Sequence, residues 1–336
     1  MHLTMNNQTV IRPNDPALLW QGSVSLEHTA DWTMPWRIDR RRQGLFHPAL
    51  VEQAKHPAGV RIAFASDTRC LAGRLVPYPQ TVFIDLLIDG QPAGSFQIGD
   101  KDHFEFDDLP PGVKRIELWL PQFGQIRLKS LLLSANAAIE PVQDSRPKWV
   151  VYGSSITRGR GAGHPTRTWP AVVALGRNWN HWNLGYPAQC HLDPVIARMI
   201  RDMPADYLTM KVGINIYSGP TLSIRTFRPA IIGSILTIRE THPDTPFAVV
   251  SPIFSEGKET APNAVGLTLQ QMREEVAAAV ETLQSHGDRH LFYVNGLDLL
   301  GPNQAHLLPD GVHPNAEGYT HIGRRFLETV APLLAP

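Results

Sequence analysis

The chain is poor in cysteine: Cys70 and Cys190 are the only two in 336 residues. That excludes a disulfide framework and is expected of a reducing compartment. CxxC pairs and the Cys/His spacings of zinc sites are missing as well, so the fourteen histidines are not expected to act together as metal ligands. Charge of either sign is not in excess, because 31 Lys and Arg balance 31 Asp and Glu. A nucleic-acid binder usually carries a basic surplus or stripe, and the one dense basic run here is Arg37, Arg40, Arg41 and Arg42. Such a run reads as a solvated face or local ion pairs. No stretch of about 18 apolar residues occurs, so no membrane span is expected. The opening MHLTMNNQTVIRPND lacks the apolar h-region of a secretory signal. With the missing cysteine pairs, this gives a cytoplasmic expectation.

What is present is an ordinary globular composition, 43% hydrophobic and 18% charged, long enough for about two domains of ~100–200 residues each. The texture changes near residue 140. Before it, short apolar runs alternate with Gly, Pro and Asp turns: GVRIAFASDT (59–68), TVFIDLLIDG (81–90), SFQIG (95–99), KRIELWLP (114–121) and IRLKSLLLS (126–134). Asp89-Gly90 is a hairpin signal. These spacings predict an antiparallel β-sandwich of jelly-roll type over 1–138. IEPVQDSRPK then reads as a linker, placed at 139–147.

From 148 to 336 the period differs. Strand-like segments at 148–153, 181–185, 206–212, 246–251 and 290–294 alternate with helical stretches at 167–178, 192–202, 225–241, 268–286 and 316–330. That alternation predicts a parallel sheet covered on both faces. Ligands of such sheets bind beyond the carboxyl ends of the strands. Gly153-Ser154-Ser155 follows the first strand, Gly185-Tyr186-Pro187-Ala188 the second and Gly213-Ile214-Asn215 the third. Asp310-Gly311-Val312-His313-Pro314 precedes the last helix. A hydroxyl nucleophile needs a base, the base needs a partner to fix its tautomer, and the oxyanion needs preorganised donors. Each segment alone is equally a turn or a helix cap. Their order at matched strand ends is what points to chemistry.

In that order, GSSIT, GIN and DGVHPN resemble the first, third and fifth blocks of the SGNH (GDSL-type) serine hydrolases, over about residues 148–332. The resemblance implies a three-layer α/β/α fold with a five-stranded parallel sheet, and no cofactor. The preceding sandwich resembles, in layout, the accessory domain of certain carbohydrate-esterase and acyltransferase members. Carried over by position, Ser155 is the nucleophile, His313 the general base and Asp310 its orienting partner. Asn215 and the backbone N–H of Ser155 are oxyanion donors. Two departures stand out. The usual aspartate before the nucleophile is Ser154, which leaves two adjacent serines. The oxyanion glycine is replaced, by register, by Ala188, with Gly185 as the fallback donor.

Tyr217 is a candidate wall of the acyl pocket or simply a packed residue. The long PIFSEGKETAPNAVG (252–266) is a candidate wall or lid. Trp169 reads as core, and His286 and His290, four apart across Gly287, do not read as a metal pair. The expected function is hydrolysis of short-chain acyl esters, with acetylated carbohydrate as one candidate substrate. An acyltransferase with the same acyl-serine, and an inactive glycan-binding protein, are the alternatives. Oligomeric state is not legible.

Overall fold

The change of period near residue 140 is a change of sheet type. A computed structural model describes residues 8–79 and 82–335. Met1–Asn7, the start of the N-terminal stretch read above, and Thr81, the first residue of an expected strand, lie outside the described residues. Chain contacts divide the molecule into two units. One comprises the described residues of Met1–Gly44, Ala54–Ser145 and Gly163–Thr166; the other comprises Leu45–Gln53, Arg146–Ala162 and the described part of Arg167–Pro336.

The first unit holds two antiparallel sheets of six strands each. In one, Leu128–Leu133 lies between Leu71–Leu75 and Thr33–Trp36 and also pairs with Thr9–Ile11. In the other, Lys114–Trp119 lies between Arg61–Ser66 and Phe83–Ile88. The hairpin from Phe83–Ile88 to Gln91–Gln97 turns at Asp89 and Gly90, with φ of 51° and 78°. Two successive left-handed residues make a turn whose twist matches that of the flanking strands. Alternate residues of both sheets, among them Phe64, Leu86, Leu118, Leu71, Phe104 and Leu131, form one core. Ile139–Glu140, at the start of the expected linker, is a short strand paired with Ala65 and Ser66. The basic run resolves into local contacts. Arg40 pairs with Glu27 at 2.8 Å, Arg41 and Arg42 share Asp39, and the buried Arg37 donates to the His56 carbonyl.

The second unit carries a five-stranded parallel sheet formed by Lys148–Gly153, Asn180–Gly185, Tyr207–Lys211, Phe247–Val250 and Leu291–Val294. Their spatial order is second, first, third, fourth, fifth. The first and fourth strands are largely apolar on both faces, as a doubly covered sheet requires. Trp149, fully buried, packs against Trp169, Trp179 and Phe326 and donates its indole N–H to Thr209. Trp169 is therefore core, and Pro170 sits in the first turn of the helix Trp169–Arg177, where its missing N–H costs nothing. Chain order reverses direction at the first strand, which has the second on one side and the third on the other. This is the switch point at which doubly wound sheets bind ligands.

Candidate active site

The first strand ends at Gly153, and the chain turns at once into a single helical turn, Ser155–Arg158. Ser154 caps that turn: its backbone is extended and its Oγ accepts the N–H of Ile156 at 3.2 Å. The two serines thus have separate partners. Ser154 Oγ holds the turn, whereas Ser155 Oγ lies 2.8 Å from Nε2 of His313. An aspartate at position 154 would do the same capping, so the serine there is a local exchange of one N-cap residue for another.

Asp310 and His313 lie on one loop before the helix Ala316–Thr329. His313 Nδ1 is 2.7 Å from Asp310 Oδ2. Asp310 Oδ1 accepts two backbone N–H groups, from Val312 at 3.0 Å and His313 at 2.7 Å. Partial burial acts to raise the Asp310 carboxyl, but the His313 N–H, the His313 ring and the Val312 N–H outweigh it and hold the group at about 2. Asp310 is therefore ionised at any ordinary pH. It accepts the proton on Nδ1, which leaves Nε2 unprotonated and facing the serine hydroxyl. The i, i+3 spacing brings the groups together because the loop curls around the carboxylate.

Asn215 follows the third strand across Gly213, whose φ of 120° only glycine adopts comfortably. The Asn215 side chain is buried, and its Oδ1 accepts the N–H of Cys190 at 3.1 Å. An N–H can only meet the oxygen end of the amide, so the bond fixes which end is which. The NH2 end is left for another acceptor. Ala188 has φ of 54°, in the left-handed region, so the alanine occupies a conformation suited to glycine. Among the described residues, the backbone N–H groups of Ser155 and Ala188 have no acceptor. Gly185 is in a different situation. Its N–H is donated to Asn183 Oδ1 at 2.9 Å, and a Cβ there would lie 2.3 Å from the backbone nitrogen of Arg158. Gly185 lets the second strand approach the Ser155–Arg158 turn closely, and its N–H is already engaged.

Tyr217 is half-buried. Its hydroxyl donates to the Ala261 carbonyl and its own carbonyl accepts from Asn263. It therefore anchors the 252–266 segment. A second anchor runs from Ser255 Oγ to the Gly311 carbonyl at 2.6 Å, on the same loop as Asp310 and His313. Asn183 and Ser255 were not among the candidates read from the sequence: Asn183 Nδ2 bonds the Thr157 carbonyl at 2.8 Å, tying the second strand to the Ser155–Arg158 turn. A strand asparagine between two apolar neighbours, in Trp182-Asn183-Leu184, was the available clue.

Cys190 is no rival nucleophile. Burial pushes its thiol up to about 12, against smaller opposing effects of Tyr152 and Lys211, so it stays protonated. His286 ends its helix with Nδ1 on the Thr282 carbonyl. Among the described residues no group of three or more His, Cys, Asp or Glu is arranged to hold a metal ion, and no helix is long and apolar enough to cross a membrane.

Comparisons with known proteins bear on the family and the fold. Residues 147–331 match the model of the GDSL-like lipase/acylhydrolase family, and residues 18–129 match that of the SsfX3 N-terminal domain. A search of curated proteins gives no match. Among solved structures, the salicylyl-acyltransferase SsfX3 from a tetracycline biosynthetic pathway superposes with a TM-score of 0.90 at 34% identity, covering 97% of both chains. A protein of Bacteroides ovatus ATCC 8483 named as a GDSL-like lipase gives 0.81 at 23% identity, covering 98% of both. A family two carbohydrate esterase from Clostridium thermocellum, solved as an active-site mutant, gives 0.68 at 13% identity, covering 95% of this chain and 98% of its own. The first spans both units of the chain at an identity that carries family membership, and the latter two share the fold. The family model alone covers more than half of the sequence. The chain belongs to the GDSL-like lipase/acylhydrolase family.

Proposed function

We propose that this chain is a serine esterase for short-chain acyl esters, acting through an acyl-enzyme on Ser155. The observation that carries the reading is the unbroken relay from Ser155 Oγ to His313 Nε2 at 2.8 Å and from His313 Nδ1 to Asp310 Oδ2 at 2.7 Å. In the first half-reaction Ser155 Oγ attacks the ester carbonyl carbon and His313 Nε2 takes the hydroxyl proton. The carbonyl π pair moves onto oxygen, where the N–H groups of Ser155 and Ala188 and the NH2 of Asn215 receive it. Collapse breaks the bond to the leaving alcohol, which takes the proton from His313. Water then repeats the sequence against the acyl-serine. Asp310 stays ionised throughout and stabilises the imidazolium. An acetylated carbohydrate is the first substrate class to test.

A second reading replaces water by an alcohol acceptor. It is favoured by the 34% identity, across 97% of both chains, to a protein named as a salicylyl-acyltransferase. Both readings share the first half-reaction and diverge only in what resolves the acyl-serine. The test is incubation with p-nitrophenyl acetate, with and without alcohol acceptors, following nitrophenolate, free acetate and acetylated alcohol separately. Acetate as the product in the presence of acceptor supports hydrolysis. Acetylated alcohol in excess supports transfer. No nitrophenolate release, and no labelling of Ser155 by a fluorophosphonate, would overturn both.

A further inference from the structure

We propose that His191 is a positioning residue for the oxyanion side of this site, holding the Ala188 backbone in its left-handed conformation; the proposal rests on the acyl-serine reading above. The segment from Tyr186 to Leu192 has little regular structure, yet it is pinned at nearly every step. Tyr186 N donates to the Gly153 carbonyl at 2.8 Å and Gln189 N to the Tyr186 carbonyl at 3.0 Å. Cys190 N donates to Asn215 Oδ1 and Leu192 N to the Tyr152 hydroxyl. Ala188 itself is held differently. Its carbonyl is 2.9 Å from His191 Nε2, and among the described residues this is the hydrogen bond its own backbone makes.

The tautomer of His191 follows from its partners. A carbonyl only accepts, so Nε2 carries the proton. Nδ1 then accepts from the Thr221 hydroxyl, 2.9 Å away. Thr221 lies on the segment after the helix Ile214–Ser218, which carries Asn215. Two links therefore join the segments that bear the oxyanion donors: Cys190 N to Asn215 Oδ1, and Ala188 O through His191 to Thr221. Left-handed backbone at an alanine is disfavoured by roughly 5- to 30-fold in population. Without the clamp, Ala188 is free to relax toward φ below zero, and its N–H turns away from the position the oxyanion takes. At glycine the penalty is absent. His191 is thus what allows alanine to stand where the resembling family has glycine.

This predicts a specific non-additivity. On p-nitrophenyl acetate, His191→Ala should lower kcat by about tenfold with KM within about twofold, because the donor acts chiefly on the charged intermediate. His191→Gln, whose amide nitrogen reaches the same carbonyl, should recover most of it. In an Ala188→Gly background the same His191→Ala change should cost less than about threefold relative to its own parent, since glycine needs no clamp. A merely structural histidine would lower melting temperature and activity alike in both backgrounds, and Gln would not restore kcat. If His191→Ala fails to accumulate as folded protein, Thr221→Val, at an exposed position, carries the test with a loss of roughly threefold that Ala188→Gly again removes. A parent-like kcat for His191→Ala, or equal losses in both backgrounds, overturns the proposal. Ser155→Ala separates the two levels: full activity in that variant would instead overturn the acyl-serine reading.

Discussion

Asn215 offers the sharpest test of the site, because the two ends of its amide have different work. Its Oδ1 satisfies the N–H of Cys190, and its NH2 is the donor proposed for the oxyanion. Asn215→Ala removes both. Loss of one fixed donor costs roughly 10²–10³ in kcat, or about 2.7–4 kcal/mol of barrier. The same change strands the Cys190 N–H in the interior, at a cost of about 1–3 kcal/mol of stability. At about 2–4 °C per kcal/mol for a domain of this size, that is a fall in Tm of roughly 2–12 °C. Asn215→Asp separates the effects. The new side chain has the same shape and still accepts from Cys190, so that N–H keeps its acceptor and any fall in Tm reports the burial of the carboxylate instead. In place of the donor it presents an oxygen, which repels the oxyanion. At pH 8, well above the ordinary carboxyl value of about 3.9, kcat should fall at least as far as in Asn215→Ala. Steady-state kinetics on p-nitrophenyl acetate and thermal melts of the three proteins give both axes. A folded Asn215→Asp variant within tenfold of the parent kcat refutes the placement of that NH2 against the oxyanion.

The neighbouring positions give further expectations. Ser155→Ala should abolish turnover and fluorophosphonate labelling. Ser154→Ala, which removes only the cap bond to Ile156, should keep labelling at Ser155 while losing about 0.5–2 kcal/mol of stability, read by melting and intact mass. Asp310→Asn should lower kcat by roughly tenfold or more with a smaller change in KM, the pattern of a group that acts on the transition state. The same variant has a signature in acid. The Asp310 carboxyl is held at about 2 against an ordinary value of 3.8, so between those pH values the unfolded chain binds a proton that the folded chain does not. Stability from this group is therefore present above about 3.8 and lost as pH falls toward 2. Thermal melts across that window should fall less steeply for Asp310→Asn than for the parent, and parallel curves would contradict the hydrogen-bond pattern. Activity should survive EDTA, and loss restored by zinc would replace the serine mechanism.

The fold was largely legible in the sequence because its periods differ so plainly. The five parallel strands and five long helices fall within two or three residues of the segments read from apolar pattern. A short strand that lacks buried apolar residues, such as Ser25–His28, was not readable, since half-exposed positions carry little hydrophobic signal. Ser155, His313, Asp310 and Asn215 could be picked as candidates because each follows a strand end or precedes a helix in a fixed order. Asn183, His191 and Ser255 could not. Asn183 and Ser255 bond carbonyls 26 and 56 positions away, His191 bonds one only three residues back, and a polar residue whose role is to bond a carbonyl leaves no pattern in sequence. Ala188 shows the same limit: its register was visible, but its left-handed backbone and the histidine that braces it were not.

The separation of Ser155 from His313 has a consequence for how activity is acquired. The hydrogen-bonded pair lies 158 positions apart, and His313 arrives only just before the helix Ala316–Thr329. During synthesis from the N-terminus, the Ser155 turn and the segments bearing Ala188 and Asn215 are complete while His313 is still to be made. A chain arrested, truncated or cleaved before residue 313 therefore holds an inert hydroxyl. On the proposed triad, activity comes last, with closure of a long loop around the sheet, so it reports on completion of the second unit. Recovery of esterase activity after dilution from denaturant should accordingly trail the recovery of helical signal.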